Sequence, residues 1–140
     1  MNVYLDANVL VSLFIRDEMT PAAQYALRSL SGLVTVSDWT LAETASALSR
    51  AVRTQLLDYD DAWRAMAAID RWTGRTAHRI EVLPADVREA ERVIRNFDTV
   101  LKTPDALHIA VARRIDVALL TFDSAMGREA RRLGVDVVEV

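Results

Sequence analysis

The chain has 140 residues and a formal net charge of −3, a length that suits one folded unit around one sizeable core. Hydrophobic residues make up 51%, which excludes a disordered chain, and no apolar run approaches the ~20 residues that a membrane-spanning helix needs. Cysteine is absent, which excludes disulfides and thiolate metal sites, and Asp6 stands where a secretory leader would be apolar, so a cytoplasmic location is expected.

Asn2–Leu5 reads as a short buried strand, with a helix following at once through about Ile15. Thr20 caps a second helix over Pro21–Leu30, with Pro21 at the first helical position. Leu33–Val36 is a strand. Ser37 or Asp38 caps a helix to about Val52, whose Leu41, Ala45, Leu48 and Val52 share one face. Tyr59–Thr73 is a helix ended near Gly74, Arg79–Leu83 a strand, and Pro84 opens a helix to about Phe97. Thr103-Pro104 opens the next, through Arg114. Val117–Thr121 is a strand, Ser124–Leu133 a helix closed by Gly134, and Val137–Val140 a last strand.

Strands alternate with helices throughout, and the strands are rich in Val, Ile and Leu. That order predicts an α/β fold: one three-layer domain over residues 1–140, its central, mainly parallel sheet of about five short strands flanked by helices.

In an open parallel sheet, ligands bind beyond the carboxyl ends of the strands. Asp6 ends the first strand, and Asp123 follows the strand at Val117–Thr121. Glu43 and Asp105 lie in the first turns of helices. All four fall at one rim of the sheet. Each alone has a structural explanation: Asp6 and Asp123 as helix caps, Glu43 as the far half of a capping box with Thr40, Asp105 facing a helix dipole. Together, four carboxylates within a few ångströms repel one another, and a divalent cation such as Mg²⁺ or Mn²⁺ relieves that repulsion. Asn8 and Thr121, two residues from Asp6 and Asp123, are placed to support the carboxylates or to cap the backbone.

Val3-Tyr4-Leu5-Asp6-Ala7-Asn8, Leu41-Ala42-Glu43, Thr103-Pro104-Asp105-Ala106-Leu107-His108-Ile109-Ala110 and Leu120-Thr121-Phe122-Asp123 resemble the successive motifs of PIN-domain proteins. More narrowly, they resemble the VapC-type toxins of bacterial toxin–antitoxin pairs, over the whole chain. The resemblance implies a Mg²⁺- or Mn²⁺-dependent endoribonuclease with an RNA substrate. It also implies a homodimer, inhibited by a small antitoxin protein. It carries the family's acidic positions onto Asp6, Glu43, Asp105 and Asp123, and its small polar position onto Thr121. The roles expected are direct cation binding by Asp6 and Asp105, with Glu43 and Asp123 completing the set through water or around a second ion.

Other residues carry weaker signals. His108 lies three residues after Asp105, near enough to point at the site, but reads first as a packing or surface residue; His78 carries no signal. Arg113-Arg114 and Arg128, Arg131 and Arg132 are candidates for an RNA-facing rim, or a solvated helix face. Trp39 reads as a core-packing or subunit-contact residue first, and as a base-stacking one second. The stripe of Tyr59, Trp63 and Met66 reads first as core, second as a dimer or antitoxin groove. Asp58–Asp61 reads as a helix start. Two other function classes remain: a non-catalytic binding module of the same fold, and an aspartyl-phosphate receiver. Lys102 is badly placed for the lysine a receiver needs, because it precedes a helix rather than following a late strand.

Overall fold

The computed structural model describes residues 1–140. In chain order the elements are β1 (Val3–Leu5), α1 (Ala7–Phe14), α2 (Thr20–Ser29), β2 (Val34–Ser37), α3 (Asp38–Arg53), α4 (Tyr59–Thr76), β3 (Ala77–Ile80), α5 (Pro84–Ile94), α6 (Thr103–Arg114), β4 (Ala118–Leu120) and α7 (Ser124–Arg132). The four strands form one sheet in the order β3-β2-β1-β4, and every pairing is parallel. No helix is long and apolar enough to cross a membrane.

Side chains alternate across a strand, so β1 and β4 feed two cores. Val3 and Leu5, with Ala118 and Leu120, pack on one face with α1 and α2. Tyr4 and Leu119 point the other way, into a core built with α5, α6 and α7. A third cluster, Leu10, Leu48, Ala65 and Ile69, joins α1, α3 and α4. The three layers predicted from the sequence are present. The α6 helix is sunk between its neighbours: Ala106 through Ala112 are all buried, as expected of a helix with little polar face.

Four boundaries differ from the sequence expectation. The last strand reduces to a single bridge between Val137 and Leu119, so the sheet has four strands rather than five. The α4 helix runs through Gly74 to Thr76, because that glycine faces open space and interrupts no packing. The β3 strand then begins at Ala77 opposite Val34, earlier than Arg79, since its parallel register with β2 starts there. The α5 helix ends at Ile94, and Phe97 turns the chain with φ of 56°.

From β1 the chain moves outward to β2 and β3, then returns so that β4 lies on the other side of β1. Chain direction therefore diverges between β1 and β4. A crevice opens at such a switch point, at the carboxyl ends of the strands.

Candidate active site

Asp6 and Asp123 stand at the exits of β1 and β4, on the two sides of that crevice. Glu43 comes from the second turn of α3 and Asp105 from the first turn of α6. All four line one cleft of about 490 Å³, together with Asn8, Ser12, Asp17, Ser46 and Arg50. Asp6 is buried, Glu43 and Asp105 are half-buried, and Asp123 is exposed.

Asp6 sits at the amino end of α1, yet its side chain caps nothing. Its Oδ2 instead accepts a 2.6 Å hydrogen bond from Thr121. Thr121 is fixed in turn: its oxygen accepts from Asn8 Nδ2 at 3.3 Å and from the Asp123 amide at 3.1 Å. Asn8 closes the loop by accepting from the Phe122 amide at 3.3 Å. Asp123 does cap its helix, accepting from the Met126 amide at 3.0 Å through Oδ1; its other oxygen makes no hydrogen bond.

The capping box expected at Thr40 and Glu43 lies one turn earlier. Ser37 accepts from the Thr40 amide, and Thr40 accepts from the Ser37 amide. The Thr40 hydroxyl also donates to Leu5 O at 3.0 Å, which ties α3 to the end of β1. Glu43 is thereby released from capping and meets His108 Nε2 at 2.7 Å.

His108 is the packing residue of its sequence reading rather than a surface one, and its ring also reaches the site. It is fully buried, with Nδ1 2.8 Å from the Tyr4 hydroxyl and Nε2 3.5 Å from Asp6 Oδ1. Ligand atoms of Asp6, Glu43 and His108 lie within 4.8 Å of one another. Two sequence signals pointed here: its spacing from Asp105, and its place as the one ionisable side chain in a run of buried apolar residues.

Burial, and then the negative charges of Asp6, Asp123 and Glu43, hold the Asp105 carboxyl above its ordinary range. Burial likewise raises the Tyr4 phenol, so Tyr4 keeps its proton. The cleft is thus a carboxylate-rich pocket under electrostatic pressure, in which Asp6 and Glu43 bring ligand atoms within 4.8 Å of each other and of His108, while Asp105 and Asp123 line it farther out. That is the donor set and charge that a hard divalent cation fits.

The basic residues fall differently from expectation. Arg113 and Arg114 end α6, about 13 Å along the axis from Asp105, and are engaged by Glu89 and Asp86; they do not rim the cleft. Arg131 and Arg132 pair with Glu139 and Glu129. Arg128 lies in a neighbouring groove that shares Met19, Phe122 and Asp123 with the cleft. Arg50, given no role from sequence, is the one basic lining residue of the cleft. It follows Glu43 by two helical turns, which puts both on one face of α3.

The aromatic residues are also sorted. Trp39 packs on the second core and donates through Nε1 to Pro104 O at 3.3 Å. Ile69, Met66 and Trp72 pack inward, whereas Tyr59 and Trp63 are exposed and border an apolar groove of about 360 Å³ between α3 and α4. The core reading of that stripe is thus corrected for these two rings. Asp58 starts α4, accepting from the Asp61 amide.

A PIN domain family model matches residues 3–131. The chain belongs to the PIN domain family. This PIN domain is 29% identical to ribonuclease VapC46 of Mycobacterium tuberculosis over 140 residues, covering 97% of this chain and 95% of that protein. Among solved structures it resembles M. tuberculosis VapC20, described as a sarcin–ricin loop cleaving toxin, with a TM-score of 0.75 at 22% identity over 99% of both chains. It also resembles VapBC2 of Rickettsia felis bound to a promoter DNA fragment, with a TM-score of 0.70 at 14% identity over 99% and 98% of the chains. A toxin–antitoxin complex from Klebsiella pneumoniae gives a TM-score of 0.63 at 20% identity, over 87% of each chain. The chain is a VapC homologue with the PIN fold.

Proposed function

We propose that this PIN domain is a divalent-cation-dependent endoribonuclease that hydrolyses RNA phosphodiesters, and the toxin of a toxin–antitoxin pair acting in the cytoplasm. The whole chain, residues 1–140, acts as one unit. The observation that carries this reading is the convergence of Asp6, Glu43, Asp105 and Asp123 on one cleft in a VapC homologue.

Asp6 and Asp105 would hold Mg²⁺ or Mn²⁺ directly, with Glu43 and Asp123 completing the ligand set. When bound, the cation supplies an activated water and neutralises charge on the phosphoryl oxygens. The chain's own residues do the positioning. Thr121 and Asn8 hold the Asp6 carboxylate in one orientation, and the Met126 amide anchors one oxygen of Asp123. Arg50 offers a guanidinium fork to a phosphate entering an otherwise acidic cleft.

The partner is an antitoxin whose apolar segment covers Tyr59 and Trp63 in the groove between α3 and α4. A second copy of the chain is the other expected partner, with the exposed Phe97 and Val100 as apolar contacts.

Cleavage of total RNA, with Mg²⁺ or Mn²⁺ and with EDTA, tests the enzyme reading. Asp6→Asn and Asp105→Asn are expected to lower the rate more than about 100-fold while circular dichroism stays unchanged. Equal cleavage in EDTA, or full activity in either variant, overturns it.

A further inference from the structure

We infer that His108 is a positioning residue for Glu43, holding its carboxylate toward the cation through a buried chain of hydrogen bonds that begins at Ser37 and Tyr4. The inference rests on the metal-dependent reading above and adds to it a residue outside the acidic set.

Each hydroxyl in this chain has one proton, and one assignment of those protons links Ser37 to Glu43 without a break. Thr40 spends its proton on Leu5 O at 3.0 Å. In that assignment the Ser37 oxygen accepts from the Thr40 amide and donates to its shorter hydroxyl neighbour, the Tyr4 oxygen 2.6 Å away, rather than to Thr40 Oγ1 at 3.3 Å. The Tyr4 hydroxyl then donates to His108 Nδ1 at 2.8 Å. An imidazole that accepts at Nδ1 carries its proton on Nε2, where it donates to Glu43 at 2.7 Å. Every member is satisfied, and the chain contains no buried side-chain polar atom without a partner.

The same distances argue against His108 as a metal ligand. Two neighbouring ligands of one octahedral Mg²⁺, each ~2.1 Å from the ion, stand about 3 Å apart. The 2.7 Å between Nε2 and Glu43 is shorter, and fits a shared proton. Both ring nitrogens are engaged within the protein, and a hard cation favours oxygen over imidazole.

The need for such a support follows from Glu43 itself. It is the longest of the four acids, sits on a helix rather than at a strand exit, and is only half-buried. Freely rotating, it would lose more conformational freedom on binding a cation than Asp6, which Thr121 already fixes. The imidazole also places an N–H donor between two carboxylates, since Nε2 lies 3.5 Å from Asp6 Oδ1. Tyr4 packs its ring 5.6 Å from the imidazole, and Trp39 stands at 6.5 Å, so the His108 ring has little room to turn.

Mn²⁺ titration calorimetry on the purified full chain tests the inference without reading activity. His108→Leu is expected to weaken Mn²⁺ binding about 10–100-fold, and His108→Gln, which restores a donor, to recover most of that loss. In a Glu43→Gln background, His108→Leu should change affinity by less than about twofold, because its effect runs through Glu43. Tyr4→Phe, which removes only the hydroxyl, should weaken binding in the same direction, and it decides the matter if His108→Leu does not fold. Wild-type affinity in His108→Leu, or in Tyr4→Phe where His108→Leu does not fold, or a His108→Leu loss undiminished in the Glu43→Gln background, overturns the inference alone. A wild-type chain that takes up no Mn²⁺ overturns the metal-dependent reading and the inference with it.

Discussion

At Asp105 the cost of building the site is visible in one side chain. Its carboxyl is held above its ordinary value of 3.8, by burial first and by Asp6, Asp123 and Glu43 next. A raised acid keeps its proton in the folded chain at a pH where the unfolded chain has lost it. Its contribution to stability is therefore greatest at low pH, and falls as pH rises through the window above 3.8. Asp105→Asn removes the charge and keeps the shape. In EDTA at pH 7 the variant is expected to melt about 3 °C above wild type, and at pH 3 the two should melt together. A lower midpoint at pH 7 would contradict like-charge crowding. The four acids were legible in the sequence because strand exits and helix starts are recognisable from pattern alone. The partner of Glu43 was not. Thr40 and Glu43 have the spacing of a capping box, and only the tertiary contact between Thr40 and Leu5 O shows that the cap moves back to Ser37. His108 was likewise undervalued, since a spacing of three residues cannot tell a ring turned to Tyr4 and Glu43 from one turned to solvent.

Among the elements, helix endings separate local from non-local information. Gly134 closes α7 with φ of 81°, as a glycine after a helix should. After α3, α5 and α6 the same left-handed turn is made by Gln55, Phe97 and Asp116, none of which advertises a stop. Gln55 is exposed, so its strain is offset by no packing of its own. Gln55→Gly is expected to stabilise the chain by about 0.5–1 kcal/mol, read as a higher urea midpoint at unchanged slope; a lower midpoint would show that the turn is not strained. The alternation of strands and helices was readable because each covered strand is a short apolar run. The bounds of β3 and of the last strand were not, because pairing register and not composition sets them: β3 starts where β2 offers Val34, and Val137 finds only Leu119.

Across the whole molecule, α3 serves two surfaces. Glu43 and Arg50 turn to the cleft, while Ala45, Leu48 and Val52 turn to the apolar groove with Trp63. Trp63 is 62% exposed, so Trp63→Ala should leave RNA cleavage unchanged and folding within about 0.5 kcal/mol of wild type. Its loss should weaken the proposed antitoxin complex by at least about tenfold, measured by titration with the antitoxin once one is isolated with the chain; undiminished affinity would move the partner elsewhere.

The pairing of β1 with β4 has a consequence during synthesis. Asp6 is made first and Asp123 almost last, 117 positions later, which at about 5–20 residues per second is roughly 6–23 s of translation. Until β4 emerges, β1 has β2 for a neighbour but no second wall, and Asp6 lacks the Thr121 hydroxyl that orients it. A cleft that takes one wall from β4 is therefore incomplete until synthesis is nearly finished.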